Sequence, residues 1–202
     1  SDEILQYVNE HPSGKVKIAL TDIDGILRGK YISLEKLISV IDSNTGFCDV
    51  IFGWDSGDTA YDNVQYTGWH TGYPDAPVKL DISTFRKIPW ENDIPFFLGE
   101  MIDKNNAPSF VCPRQLLKKV LKDAAHAGYQ PFFSQEFEWY NFAETPQSIH
   151  EKQFKNLTPI TPGMFGYSIL RSTLQNSYIT DLFDLLNKFN IPLEGLHTET
   201  GP

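Results

Sequence analysis

Apolar residues recur along this chain with two different periods, and the switches between them mark out its elements. Ile4, Leu5 and Val8 fall on one side of a short helix over residues 4–10, which Pro12 ends. Lys15-Val16-Lys17-Ile18-Ala19-Leu20-Thr21-Asp22 then alternates as a half-buried strand does. Asp24-Gly25 is a strong turn signal, so residues 28–32 return as the second strand of a hairpin. Ser33 is placed to cap a helix whose apolar positions are Leu34, Leu37, Ile38 and Ile41. Residues 44–76 lose all periodicity and read as a long loop, whose aromatics Trp54, Tyr61, Tyr66 and Trp69 argue for order.

Two more strands are expected at residues 78–82 and 94–101. Polar turn formers over residues 103–108 mark a domain boundary, giving a first domain at residues 1–104 and a second at 105–202. Pro113 opens a helix with an apolar stripe of Leu116, Leu117, Val120, Leu121 and Ala124, and Gly128 closes it. An aromatic strand at residues 134–139 follows. Residues 143–177 read as loop. Ile179, Leu182, Phe183, Leu186 and Phe189 define a last helix, and residues 191–197 lead out of it as a strand.

Composition narrows the function classes. A chain of 202 residues can bury a proper core, as one large domain or two small ones. Its 41% hydrophobic and 21% charged residues are ordinary for a soluble globular protein. A net charge of −9 argues against nucleic acid or an anionic membrane as partner, since both need a basic patch. Cys48 and Cys112 form no C-x-x-C pair and read as reduced thiols of a cytosolic protein. No apolar run reaches the ~20 residues of a membrane span, and the acidic Ser1-Asp2-Glu3 start is wrong for a signal peptide, so a cytoplasmic location is expected.

The candidate chemistry is acidic. Glu136 and Glu138 stand at i and i+2 inside the aromatic strand, and residues two apart share a face. Adjacent carboxylates repel each other, and a hard divalent cation such as Mg²⁺ relieves that repulsion. The bland alternative is two exposed acids on an edge strand, the usual state of charged residues. Glu199 supplies a third carboxylate near the end of the next strand. The five histidines show no ligand spacing, and no Gly-rich phosphate loop is present.

Asp22-Ile23-Asp24-Gly25 resembles the first motif of the haloacid-dehalogenase phosphatases, in which the first Asp is the nucleophile and the second a general acid. Gly57-Asp58-Thr59-Ala60-Tyr61-Asp62 mimics their last acidic motif. The spacing opposes this reading, because one βαβ unit alone takes roughly 30 residues. A turn with Asp24-Gly25 at its apex is preferred.

A second resemblance covers essentially the whole chain. Thr21-Asp22-Ile23-Asp24-Gly25-Ile26-Leu27-Arg28-Gly29-Lys30, Gly53-Trp54-Asp55-Ser56, Ile88-Pro89-Trp90, Gln135-Glu136-Phe137-Glu138-Trp139-Tyr140 and Leu193-Glu194-Gly195-Leu196-His197-Thr198-Glu199 follow one another as the corresponding motifs do in the glutamine synthetase family. The Asp-Gly-x-x-Arg-Gly-Lys form is similar to its γ-glutamyl-amine ligase branch. The resemblance implies an α+β chain: an N-terminal β-grasp domain, then the beginning of a catalytic domain built on an antiparallel sheet with helices.

It further implies ATP-dependent joining of the glutamate γ-carboxylate to ammonia or a small amine through γ-glutamyl phosphate. Mg²⁺ or Mn²⁺ and ATP would be required, and a homo-oligomer is expected for the full-length parent. By the same resemblance Glu136, Glu138 and Glu199 match metal ligands, and Glu194 a position near the nucleotide. Asp55 matches the acid that holds ammonium, with Asp58 as rival because Asp55-Ser56-Gly57 replaces the family's usual order. Further family carboxylates, a histidine and the substrate-binding arginines have no counterpart in these residues, so the chain alone is expected to be inactive. The alternative within the family is a non-catalytic structural or regulatory relative.

Overall fold

The computed structural model describes residues 2–201. By its contacts the chain divides into two units, Ser1–Pro131 and Phe132–Pro202. In the first, α1 (Asp2–Glu10) precedes the predicted hairpin of β1 (Lys15–Thr21) and β2 (Leu27–Ser33), in antiparallel register with Val16 opposite Ile32. Gly25 sits at φ +82°, a conformation that side-chain-bearing residues rarely adopt, and its N–H donates to the Asp22 carbonyl. Ser33 caps α2 (Leu34–Val40) by accepting from the Lys36 N–H at 3.1 Å.

The rest of the sheet is built from β3 (Thr45–Cys48), β4 (Asp75–Ile88) and β5 (Ile94–Met101), in the order β2-β1-β5-β4-β3. β5 runs parallel to β1 and antiparallel to β4. A hairpin, a helix laid against it and a later strand returning parallel to the first make the β-grasp arrangement. Val8, Val16, Ile18, Leu37, Leu80 and Phe97 form one buried cluster between helices and sheet. A second gathers Leu20, Ile51, Phe52, Val78, Met101 and Cys112.

Three details differ from the periodicity reading. The segment expected to be one loop contains β3 and a 3-10 turn at Asp49–Phe52, because four residues are too few to show alternation. β4 is far longer than expected, and its register against β5 shifts between Asp81 and Arg86. That bulge is stitched by side chains: Asp81 accepts from Ser83, and the Thr84 hydroxyl oxygen accepts the Leu98 N–H at 2.8 Å, replacing a lost ladder bond. Finally, α3 (Pro113–His126) forms as expected, but its apolar stripe is open to solvent, with Leu116 58% and Val120 53% exposed. Polar residues fasten it: Arg114 and Lys118 reach Asp81 and Glu100 on the sheet.

The second unit holds α4 (Pro146–Glu151), α5 (Ile169–Leu174) and α6 (Asn176–Lys188). The first two correct the loop expected at residues 143–177. Each is a helix of under two turns, too short for an apolar period, but each has a hydroxyl cap. Thr145 and Ser148 cap α4 reciprocally, and Ser168 caps α5. The strands expected at residues 134–139 and 191–197 are also corrected: neither is in a ladder. A strand exists only where a neighbour takes up its N–H and C=O groups. Among the described residues the backbone of 130–140 bonds to no other backbone group. No described residue beyond Cys112 is buried, so the packed core of this chain is that of the first unit. Among the described residues no helix is long and apolar enough to cross a membrane.

Candidate active site

In the second unit, segments 133–141 and 191–201, with Leu182 and Leu186 of α6, line a cavity of about 1450 Å³. Glu136, Glu138, Glu194 and Glu199 all line it, and Arg171 is its one lysine or arginine among the described residues. Two anchors shape the walls. The indole N–H of Trp139 donates to the Tyr178 hydroxyl at 3.0 Å, tying the Glu136/Glu138 segment to α6. Thr198 ties the other segment to the loop before α5: its hydroxyl donates to the Phe165 carbonyl at 2.8 Å and accepts the Ser168 N–H at 3.0 Å. Its carbonyl accepts the Tyr167 N–H at 2.7 Å.

Around Thr198 the side chains are organised for charge. His197 stacks on Tyr167 with ring centroids 4.4 Å apart, and its Nδ1 stands 3.6 Å from the Glu199 carboxylate. The Arg171 guanidinium lies 3.9 Å from the centre of the Phe165 ring. Tyr167 had no sequence signal, since what recruits it is contact with His197 and Thr198, some thirty positions along the chain.

The acids share a cavity but not a metal shell. Among the described residues no group of three or more His, Cys, Asp or Glu side chains stands close enough to hold a metal ion. Mg²⁺ needs a near-octahedral set of oxygens at about 2.0–2.1 Å. As placed, Glu136, Glu138 and Glu199 do not fit it. Four carboxylates against one guanidinium leave the cavity strongly negative, which favours cations and opposes phosphates.

Asp55 belongs to the first unit. Its Oδ1 accepts the N–H groups of Gly57 at 2.8 Å and Thr59 at 2.9 Å. These bonds, that from Thr59 foremost, hold the carboxyl below its usual range. Asp58 instead pairs with Arg28 at 2.5 Å. Asp22 is 1% exposed and accepts from the N–H groups of Asp24 and Ile26 and from Arg28 Nε, all within 3 Å. It stands at the end of a hairpin strand in a mixed sheet, not before a helix in a parallel one. A carboxylate so bound is a turn-former and not a phosphatase nucleophile, and Asp24 is exposed beside it.

Residues 110–202 match the family model of the glutamine synthetase catalytic domain. Over its whole length the chain is 52% identical to type-1 glutamine synthetase 2 of Dictyostelium discoideum, of which it covers 38%. It is 28% identical, over 99% of its length, to a glutamate–isopropylamine ligase of a Pseudomonas species, covering 44% of that protein. A solved GmaS–ADP complex superposes on 91% of the chain and 38% of its own with a TM-score of 0.62 at 15% identity, a likeness of fold. The chain belongs to the glutamine synthetase family. Its matched relatives include both glutamine synthetases and γ-glutamyl-amine ligases, and it spans about two fifths of their length.

Proposed function

We propose that this chain is part of an ATP-dependent ligase that joins the γ-carboxylate of glutamate to ammonia or a small amine through γ-glutamyl phosphate. One observation carries the reading: the four acids in the segments that resemble the family's motifs, Glu136, Glu138, Glu194 and Glu199, line a single cavity. On this reading Glu136, Glu138 and Glu199, which form no metal shell as placed, would supply only part of the Mg²⁺ or Mn²⁺ site of the full-length protein, and Glu194 would lie near ATP. A cytoplasmic, homo-oligomeric parent is part of the same proposal.

What the residues do unaided is narrower. ATP and glutamate are anions, and an uncompensated carboxylate cavity repels both. The cationic amine is attracted. Asp55, held ionised by two N–H donors, is suited to bind the ammonium form until it loses its proton. Positioning is much of the rate enhancement in phosphoryl transfer, and these residues do not position the phosphates. The 202-residue chain alone is therefore inactive on this reading.

The test is phosphate release from ATP with glutamate and a panel of amines. The full-length protein should show amine-dependent release. Its Glu136→Gln variant should lose about 10²-fold or more in kcat/KM, the scale of removing one charge-stabilising group. Turnover by the purified 202-residue chain would show that other residues carry the chemistry. A full-length protein without turnover would be a non-catalytic member of the family.

A further inference from the structure

A guanidinium carries five N–H donors in a rigid fork, and Arg28 spreads its donors over three acceptors. Nε donates to Asp22 Oδ2 at 2.8 Å, Nη1 to Asp58 Oδ1 at 2.5 Å and Nη2 to the Asp55 carbonyl at 3.2 Å. The group also lies 5.2 Å from the centre of the Trp54 ring. Its two ends sit in different surroundings, since the Asp22 side chain is 1% exposed and that of Asp58 58%. One side chain thus ties the loop of residues 55–59 to the rigid β1–β2 hairpin.

That loop needs holding. Asp58 is at φ +63°, where side-chain-bearing residues are uncommon. Its N–H donates to the Asp55 carbonyl at 3.1 Å, so the atom that Arg28 grips is also the turn's own acceptor. The outcome is a carboxylate of fixed orientation. Asp55 Oδ1 accepts the N–H groups of both Gly57 and Thr59, which fixes the plane of the half-buried carboxylate. Asp58, the rival acid, is spent on Arg28. Asp22, Asp55 and Asp58 outnumber the single guanidinium, so the neighbourhood stays negative. Burial raises the Tyr61 hydroxyl, and Asp24, Asp55 and Asp22 raise it further, as such a field requires.

We propose that Arg28 is a positioning residue: by clamping Asp58 and the Asp55 carbonyl to the hairpin, it presents the oriented carboxylate of Asp55 to a cationic substrate. The cation's identity, ammonium or a small alkylammonium, rests on the ligase reading above. The positioning itself does not.

Two variants separate positioning from support of the fold. Arg28→Lys keeps a positive charge beside buried Asp22 but cannot reach three acceptors. Asp58→Ala removes only the exposed anchor. In the 202-residue chain, amide exchange at Gly57 and Thr59 should quicken about tenfold or more in both, while Ile18 and Phe97 in the sheet keep their protection. The Asp55 carboxyl, followed by carbon NMR, should titrate closer to its ordinary value. In the full-length protein KM for the amine should rise about tenfold with kcat and the KM for ATP within about twofold.

Unchanged exchange at Gly57 and Thr59 overturns the proposal. So does a loss of protection spread equally over the sheet, or an amine KM that does not move. A full-length wild type without amine-dependent turnover would remove the ligase reading alone, and the exchange and titration measurements would still decide whether Arg28 positions Asp55.

Discussion

Replacing Arg114 by Met should cost the first unit more than removing any other cation of α3. Arg114 Nε donates to Glu100 and its Nη2 to Asp81, both at 2.7 Å. Lys118, one turn later, reaches the same two carboxylates. The acids are 11% and 18% exposed, and Arg114 itself 25%. Two charge-assisted bonds are worth about 1.5–3 kcal/mol each when lost. Lys118 stays to compensate and water reaches the pair, which brings the expected loss to about 2–3 kcal/mol. Lys118 is 47% exposed and a point charge, so Lys118→Met should cost about 1 kcal/mol or less.

Urea unfolding followed by tryptophan fluorescence measures both variants. The pH dependence supplies an independent check. Burial alone would raise the Asp81 carboxyl, but hydrogen bonds from Ser83, Arg114 and Lys118 outweigh it and hold it well below its usual 3.8. A depressed carboxyl contributes stability that is complete above its unfolded value and is lost as pH falls towards its folded one. The difference between wild type and Arg114→Met should therefore hold steady down to about pH 4 and shrink below it. A larger loss in Lys118→Met than in Arg114→Met, or a difference still undiminished at about pH 2, would refute the argument.

Two smaller effects should be measurable alongside. Ser33→Ala removes the side-chain acceptor at the start of α2 and should cost about 1 kcal/mol in the same urea assay. The Glu144 side chain is 3% exposed and accepts from Lys152, from the Ser148 hydroxyl at 2.5 Å and from the Thr158 N–H at 2.7 Å. These bonds, with that from Lys152 foremost, lower its carboxyl from the usual 4.5 to about 2. Protection of the Thr158 amide should accordingly be complete above about pH 4.5, fade as pH falls through about 2, and be lost at all pH values in Glu144→Leu.

The parts of the fold legible in the sequence are those specified locally. The hairpin follows from alternation and an Asp-Gly turn, α2 from a serine cap, and α6 from a 3.6-residue period. What was illegible is specified by partners distant in the chain. Four residues of β3 are a strand only because Asp75 to Val78 lie beside them. The β4 bulge depends on a threonine that replaces a ladder bond. The aromatic segment at residues 134–139 shows the converse: its alternation and aromatic content suit a strand, yet without a neighbour in register the pattern makes none. Its carboxylates reach the cavity all the same, because Trp139 holds the segment to α6.

Helix α3 shows why a cut made by sequence similarity and one made by contacts need not coincide. The catalytic-domain match begins at residue 110, ahead of the helix, while the contacts place the helix in the unit ending at Pro131. Its apolar stripe does not bind it there, since Leu116, Leu117 and Val120 are each more than half exposed. The attachment is ionic: Arg114 and Lys118 on the helix face Asp81 and Glu100 on β4 and β5. Hydrophobic periodicity reports which face of a helix is apolar, but not whether that face or the opposite one makes the contact. If the ionic attachment is what assigns α3 to the first unit, Arg114→Met should loosen amide exchange throughout α3 before it touches Ile18 or Phe97. Equal loosening of helix and sheet would mean that the helix is held by something other than these four charges.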